Sequence, residues 1–512
     1  MAIGLLHALM LTAMNSWLGR AFSLDARSLA VFRLALGLIV CTDALLRTRD
    51  FTLMFGADGM FPLSVLRVYL SDPCAWSLAF CVDATWWSGV VLALEGVAGV
   101  ALAVGWGGRW ATVAAWVAVV SVVRRTAPAT NAGDLWLICL LFWGMFLPLT
   151  AAWSLDACWR RDQASRDSNG PVCQIFSAAT VAIVLQIAAV YVSAGLAKCN
   201  ESWFSGDAFS YALSVHDHGT HWGSVVGSFA PLAKLITWSV LAIELVGPCL
   251  LIAWPLPSVR LSLVALFLSF HLAICVLMSV GIFGPVGMAA WLAVVPTEFW
   301  GWLADRRHAS EGPETLPKKG TKENTMARAK PLADWLCAGC GAIAIASFAH
   351  HNNPFRHSPL PAPLASAVRL TGLHQDWNMF GQVLRQEQWV YSRAQLASGH
   401  IVDVLRQGRG VEPLQPAGGF SSLPHHRWHK IFWELPRPPA RIFSASIAAA
   451  IAHQWNRTHP PAECVHTLEI RFARLSNDSS LDTLHELLLA TWPPRDPHGC
   501  GNLDRLLEQQ GE

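Results

Sequence analysis

Lys198 closes an apolar run, Val181 to Ala197, and is followed by Asn200-Glu-Ser-Trp203 and the turn Ser205-Gly206-Asp207. An amine at such a boundary has two fates. It snorkels to the headgroups as a cation, or it is held out of water, where the charged form is disfavoured and a neutral amine remains that accepts a proton. Arg33, Asp43, Glu95, Glu244 and His271 stand inside other apolar runs. An ionised group at membrane depth costs roughly 3 kcal/mol on insertion scales, so each needs a partner or a polar cavity. Arg33 and Asp43 are about 15 Å apart along a helix, too far to pair with each other. Glu95 or Glu244 is the expected partner of Arg33. The bland reading makes these groups interhelical ion pairs and His271 a hydrogen-bonded core residue. The sharper one makes Lys198 a catalytic base, with Arg33, Glu244 and His271 lining its cavity.

His216-Asp-His-Gly-Thr-His221 gathers three imidazoles, ligand types for a divalent transition metal. No helical i, i+4 spacing or carboxylate motif fixes their geometry. A solvated outer loop is expected, and no metal site is assigned. The histidines at 350–357 and at 425, 426 and 429 are dispersed among prolines and aromatics and specify nothing by spacing. Cys337 and Cys340 form a CxxC inside the apolar stretch Trp335 to Phe348, where packing is the expected role. Cys41, Cys139, Cys249 and Cys275 read as small hydrophobes. Cys464 and Cys500 fall in the tail and are free to pair there.

The elements that must position these groups belong to a membrane. Hydrophobic residues make up 53% and charged residues 14% of the 512, against roughly 25% charged in soluble domains. The net charge of +2 gives no basis for a nucleic-acid partner. Apolar runs near 29–46, 84–105, 110–123, 135–153, 176–197, 230–254, 259–281, 284–303 and 333–349 predict an all-α polytopic bundle of eight or nine transmembrane helices, since a span needs about 20 residues. Residues 1–28 are expected to be an interfacial segment, because they lack a basic start and a small-residue cleavage site. The bundle then covers 29–303, a basic cytoplasmic loop 304–332, and a last span 333–349. The Lys and Arg excess in alternate loops places the N-terminus inside, and an odd span count places residues 350–512 outside. In that tail, Trp389-Val-Tyr-Ser and His400-Ile-Val-Asp-Val-Leu flank Ala397-Ser-Gly399 as a hairpin. Ala440 to Trp455 reads as helix, Val465 to Phe472 as strand and Leu481 to Trp492 as helix, together a small α+β extramembrane domain. Trp86, Trp87, Trp106, Trp110, Trp153 and Trp254 sit near span ends as interfacial anchors.

Four stretches together resemble the vitamin K-dependent γ-carboxylase-like family, whose bacterial members carry the HTTM domain. They are Ser28-Leu-Ala-Val-Phe-Arg33 with Gly56-Ala-Asp-Gly-Met-Phe-Pro62; Tyr191-Val-Ser-Ala-Gly-Leu-Ala-Lys198 with Trp203; Phe270-His271 with Ser279-Val-Gly-Ile-Phe283; and Gln375-Asp-Trp377-Asn-Met379-Phe380. The resemblance implies a multi-pass protein of a bacterial inner membrane. It also implies that Lys198 is the base that deprotonates a vitamin K-type reduced naphthoquinone, and that oxygen converts the quinol, on its way to the epoxide, into a base strong enough to act on a peptide or protein at the outer face. Where the carboxylases show a histidine before the fourth span, this chain has Asn131-Ala-Gly133-Asp134, and its outer domain is much smaller than theirs. The competing expectation is a non-catalytic membrane factor for maturation or export of a partner peptide.

Overall fold

The computed structural model describes residues 14–163, 174–214, 218–310, 331–352, 359–383, 387–412, 422–476 and 483–494. The start of the N-terminal segment, most of the basic loop, His216 and Cys500 lie outside the described residues.

Residues 14–22 are helical and lead into a short strand, β1 (Leu24–Asp25), which pairs antiparallel with β2 (Gln174–Ile175). The bundle consists of α1 (Ala26–Arg47), α2 (Thr85–Val104), α3 (Gly108–Arg125), α4 (Ala132–Gly144), α5 (Ala178–Ala197), α6 (Ala230–Ala253), α7 (Pro257–Leu277), α8 (Phe283–Leu292) and α9 (Pro331–His351). Among the described residues six of these, α1, α2, α5, α6, α7 and α9, are long and apolar enough to cross a bilayer. α4 and α8 are apolar but short. The runs 135–153 and 284–303 therefore do not continue as single helices. Pro148 and Pro296 follow their first halves, and proline disfavours helix in the residue before it.

Asp25 starts α1 by accepting the Arg27 amide at 2.8 Å, and Ser177 starts α5 in a reciprocal cap with Thr180, each satisfying amides that a first turn leaves free. α1 packs on α2 and α8, α2 on α3, α3 on α4, and α5 on α6 and α9. The centre is filled by Phe32, Leu36, Trp136, Trp143, Ile187, Phe267 and Trp291. Leu94, Val97, Leu235, Val246, Leu266 and Leu272 are exposed on α2, α6 and α7, an apolar belt that only lipid covers without cost. Trp86, Trp106, Trp110, Trp153 and Trp254 are exposed at or beside helix ends, as interfacial anchors should be. Cys337 and Cys340 lie unbonded in α9.

Beyond α9, α10 (Ala362–Thr371) leads to the C-terminal domain, an antiparallel sheet in the order β4 (Ile401–Val402), β3 (Glu387–Leu396), β5 (Val465–Ser476), β6 (Thr483–Trp492) with α11 (His426–Glu434) and α12 (Ser444–Thr458). The hairpin at Ala397 to Gly399 is present, with Gly399 at φ 85°. The helix expected over Leu481 to Trp492 is a strand across its described residues, Thr483–Trp492. Its Leu, Glu and Ala favour helix locally, but pairing along β5 from Leu468↔Trp492 to Ser476↔Thr483 overrides that weak preference. The domain is not a free appendage. Leu53, Phe55, Phe61 and Leu66, from the connection between α1 and α2, share one apolar core with Phe432, Phe443, Ile447, Ile451 and Ile470. Arg125 fixes that connection by donating to the carbonyls of Phe55 (2.9 Å) and Phe61 (2.7 Å), so Gly56 to Pro62 is a structural turn.

Candidate functional site

Lys198 is the residue that caps the C-terminal end of α5, and it is buried. Its Nζ stands 2.8 Å from Glu244 Oε2 and 3.1 Å from Oε1, both carried by α6, and 3.4 Å from the Ala194 carbonyl. The Trp203 ring lies 5.3 Å from the same atom. The side chain therefore does not snorkel. A buried lysine needs an anion or must lose its charge, and Glu244 is that anion. The structure brings Lys198 and Glu244 together.

Two helical turns earlier on the same face stands Tyr191. Its hydroxyl is 2.5 Å from His271 Nε2 on α7 and accepts the Trp291 indole N–H at 2.8 Å from α8. His271 is buried, and the space for its ring exists because residue 287 has no side chain: a Cβ there would lie 2.2 Å from the imidazole Cε1. His271 is a hydrogen-bonded core residue that, through Tyr191 and Trp291, joins α5, α7 and α8.

Arg33 stands apart. It donates to the Trp153 carbonyl at 2.7 Å and crosses Gly105, whose φ of 71° and lack of a Cβ let the guanidinium pass. α1 and α5 start from the paired strands β1 and β2, so the helical rise separates the levels of Arg33 and Lys198 by roughly 20 Å. Neither Glu95 nor Glu244 is the partner of Arg33. Glu244 is committed to Lys198, and both Glu95 carboxylate oxygens are buried without a hydrogen bond among the described residues.

A second buried charge centre was not legible as a unit. Arg47 Nε meets Asp43 at 2.7 Å, and its Nη2 meets Asp134 at 3.1 Å. From the C-terminal domain Arg427 reaches in to bond Asp43 at 2.7 Å and Asp134 at 3.0 Å. Two guanidinium groups and two carboxylates thus cancel in a site where every side chain is almost fully buried. Burial works against the Arg427 charge, but Asp134 and Asp43 outweigh it and hold its pKa above the usual arginine value. Asp134 also closes the cap that starts α4, accepting the Asn131 amide at 2.9 Å.

Between the bundle and α11 of the C-terminal domain lies a cavity of about 550 Å³. Asn131 and Phe283 of the bundle, Asp376 and Met379 of the connecting segment, and His426 and His429 of α11 are on its wall. His218 joins them: its ring is 4.6 Å from that of His429 and 5.3 Å from that of Phe380. Of the solvated loop expected at 216–221, residues 216–217 lie outside the described residues, and His218 departs from the expectation. His221 is exposed, but His218 turns under α11, because Thr220 caps the helix that follows it and Ser279 donates to the His218 carbonyl. Burial, then the nearby Lys430, pushes the His218 imidazole down to about 4. Burial, then Arg427, does the same to His426, and burial with its neighbouring imidazoles takes His429 well below its usual value. At neutral pH these are uncharged donors and acceptors. The cavity wall touches the Lys198 region from behind, since a Cβ on Gly381 would be 2.9 Å from Ala197 Cβ and Asn200 Nδ2 donates to the Gly381 carbonyl.

No local pattern marks Arg427 or His429, and the imidazole-rich run around His218 does not say that it packs against α11. Asp43 lies 384 positions from Arg427 in sequence, and Asp134 lies 293. The one available signal was that Asp43 and Asp134, carboxylates in apolar surroundings, required cations from somewhere.

The family model described as the HTTM domain matches residues 22–300. No curated protein and no solved structure matches the chain.

Proposed function

The chain belongs to the HTTM domain family, whose model spans more than half of it, and from that membership we propose a multi-pass membrane enzyme that uses a lipid quinol, with Lys198 as its base. The observation that carries the reading is the buried Lys198–Glu244 pair. Passing one proton from the ammonium to the carboxylate discharges both groups at once, with no change of net charge in apolar surroundings. The neutral amine left at Nζ is able to take a proton from a quinol hydroxyl. The quinol supplies all four electrons that reduce dioxygen, two on going to the quinone level and two on epoxidation. Quinol and dioxygen thus give the quinone epoxide and water, and the basicity generated on the way acts on an unidentified substrate, a peptide or protein at the outer face.

The residues present fit a lipophilic group. A cleft of about 350 Å³ between α5 and α9 is lined by Ala182, Leu185, Val192, Ala344 and Phe348, with the amides of Gln186 and Gln375 on its wall. Lys198 is not on the wall of that cleft but closes the same helix α5, and a dry surrounding keeps an amine uncharged and protects a strong base from water. The basic residues of alternate loops support an N-terminus inside and an outer domain outside, in a bacterial inner membrane.

The test is epoxide formation by the purified chain in nanodiscs given a reduced naphthoquinone and oxygen. The control is the double variant Lys198→Met/Glu244→Leu, which removes the pair without stranding a charge. Turnover should fall by at least about 100-fold, the usual share of a positioned base. Equal turnover in the double variant removes Lys198 from the chemistry. The second reading, a scaffold for a partner peptide, is favoured by the cavity between bundle and outer domain, and absence of turnover with several quinols would select it.

A further inference from the structure

The segment that links α10 to the outer domain alternates. Leu373, Gln375 and Trp377 are buried, 0%, 1% and 1% exposed, and their polar groups are locked. Gln375 exchanges hydrogen bonds with Gln186 at 3.0 and 2.8 Å, and its Oε1 also accepts the Trp377 indole N–H at 2.9 Å. In extended chain, fixing one set of alternate residues puts the other set on the opposite side. His374 and Asp376 therefore share a face, and the end of α9 brings His351 to it. One ligand atom from each of His351, His374 and Asp376 lies within 4.8 Å of the others. The two rings are 5.4 Å apart at 71°.

We propose that His351, His374 and Asp376 form a binding site for a divalent first-row transition ion. Two imidazoles and a carboxylate are a donor set for zinc or ferrous iron. His351 carries the orienting contact such ligands use: its Nδ1 is 2.8 Å from the Ser347 carbonyl, which puts the proton on Nδ1 and leaves Nε2 with its lone pair free. Bonds of about 2.1 Å require the ligand atoms to close to roughly 3.3 Å. Asp376 is exposed and both rings are half-buried, so side-chain rotation achieves this without moving the locked residues. Three protein ligands leave at least one coordination position. Asp376 also lines the 550 Å³ cavity, so the ion borders that space and clamps the last helix to the entry of the outer domain. The site does not depend on the quinol reading.

The test uses the full chain in nanodiscs, purified without a histidine tag, stripped with chelator and titrated with Co²⁺, whose visible d–d bands report nitrogen and oxygen ligation. One equivalent should bind, and Zn²⁺ should displace it. His351→Ala, His374→Ala and the isosteric Asp376→Asn should each weaken binding by at least about 100-fold, more than loss of an outer contact costs, while His221→Ala leaves it unchanged. Zn²⁺ should raise the unfolding temperature of the stripped wild type and not that of Asp376→Asn. No saturable Co²⁺ spectrum, or one that survives Asp376→Asn and His374→Ala, overturns the proposal.

Discussion

At the scale of single residues the informative groups are those whose burial demands a partner. Lys198 and Glu244 satisfy each other, and removing one leaves the other stranded. Lys198→Met alone should cost about 3–5 kcal/mol, the penalty for an orphaned buried charge. The double variant Lys198→Met/Glu244→Leu should return to within about 1 kcal/mol of wild type, because two apolar side chains replace the pair without a desolvation cost. Thermal unfolding of the three proteins in one detergent measures the coupling. A double variant no more stable than the single one would mean that the pair contributes through something other than charge. The lysine and the glutamate were legible as buried ionisable groups. Their pairing was not, since nothing local distinguishes Glu244 from Glu95 as an acceptor.

At the scale of elements, short-range patterns carried the bundle helices and failed where a neighbour decided. α7 and α8 approach so closely over His271 that only glycine fits at residue 287. Gly287→Ala should therefore push the ring off Tyr191 and cost about 1–3 kcal/mol, in the range of overpacked cores. His271→Ala in the same chain should recover part of that loss, which unfolding of single and double variants will read. If Gly287→Ala unfolds like wild type, the helices separate more easily than their packing indicates. β6 is the converse case. Its composition reads as helix, and the open edge of β5 makes it a strand, because strand preference is a property of the paired surface more than of the residue.

At the scale of the whole molecule, the C-terminal domain is joined to the bundle by a shared apolar core, by Arg427 among Asp43 and Asp134, and by neutral imidazoles around a cavity. The imidazoles make docking depend on pH with a fixed sign. His218 and His426 titrate at about 4 when docked and near 6.5 when free, so the docked state binds fewer protons. Docking is at full strength above pH 6.5, weakens as pH falls from 6.5 to about 4, and loses no more through these groups below that. Amide protection in α11, taken relative to the intrinsic exchange rate at each pH, should fall across this window in wild type, and less in His218→Asn/His426→Asn. Protection that stays flat from pH 7 to 4.5 would show that the interface tolerates the charges.

Composition and apolar run length by themselves determined that this is a multi-pass membrane protein with a small mixed domain after its last long helix. Those properties follow from transfer of side chains out of water, which each residue carries with it wherever it folds. They also placed ionisable groups at depth and so fixed that cations and anions must meet. Which of them meet was decided only by the tertiary structure. Lys198 finds Glu244, Arg33 finds a backbone carbonyl, and Asp43 and Asp134 find an arginine from the far end of the chain. Coulombic and hydrogen-bond partners are chosen by distance in space over a few ångströms, and sequence separation holds no record of that distance once helices and domains have packed.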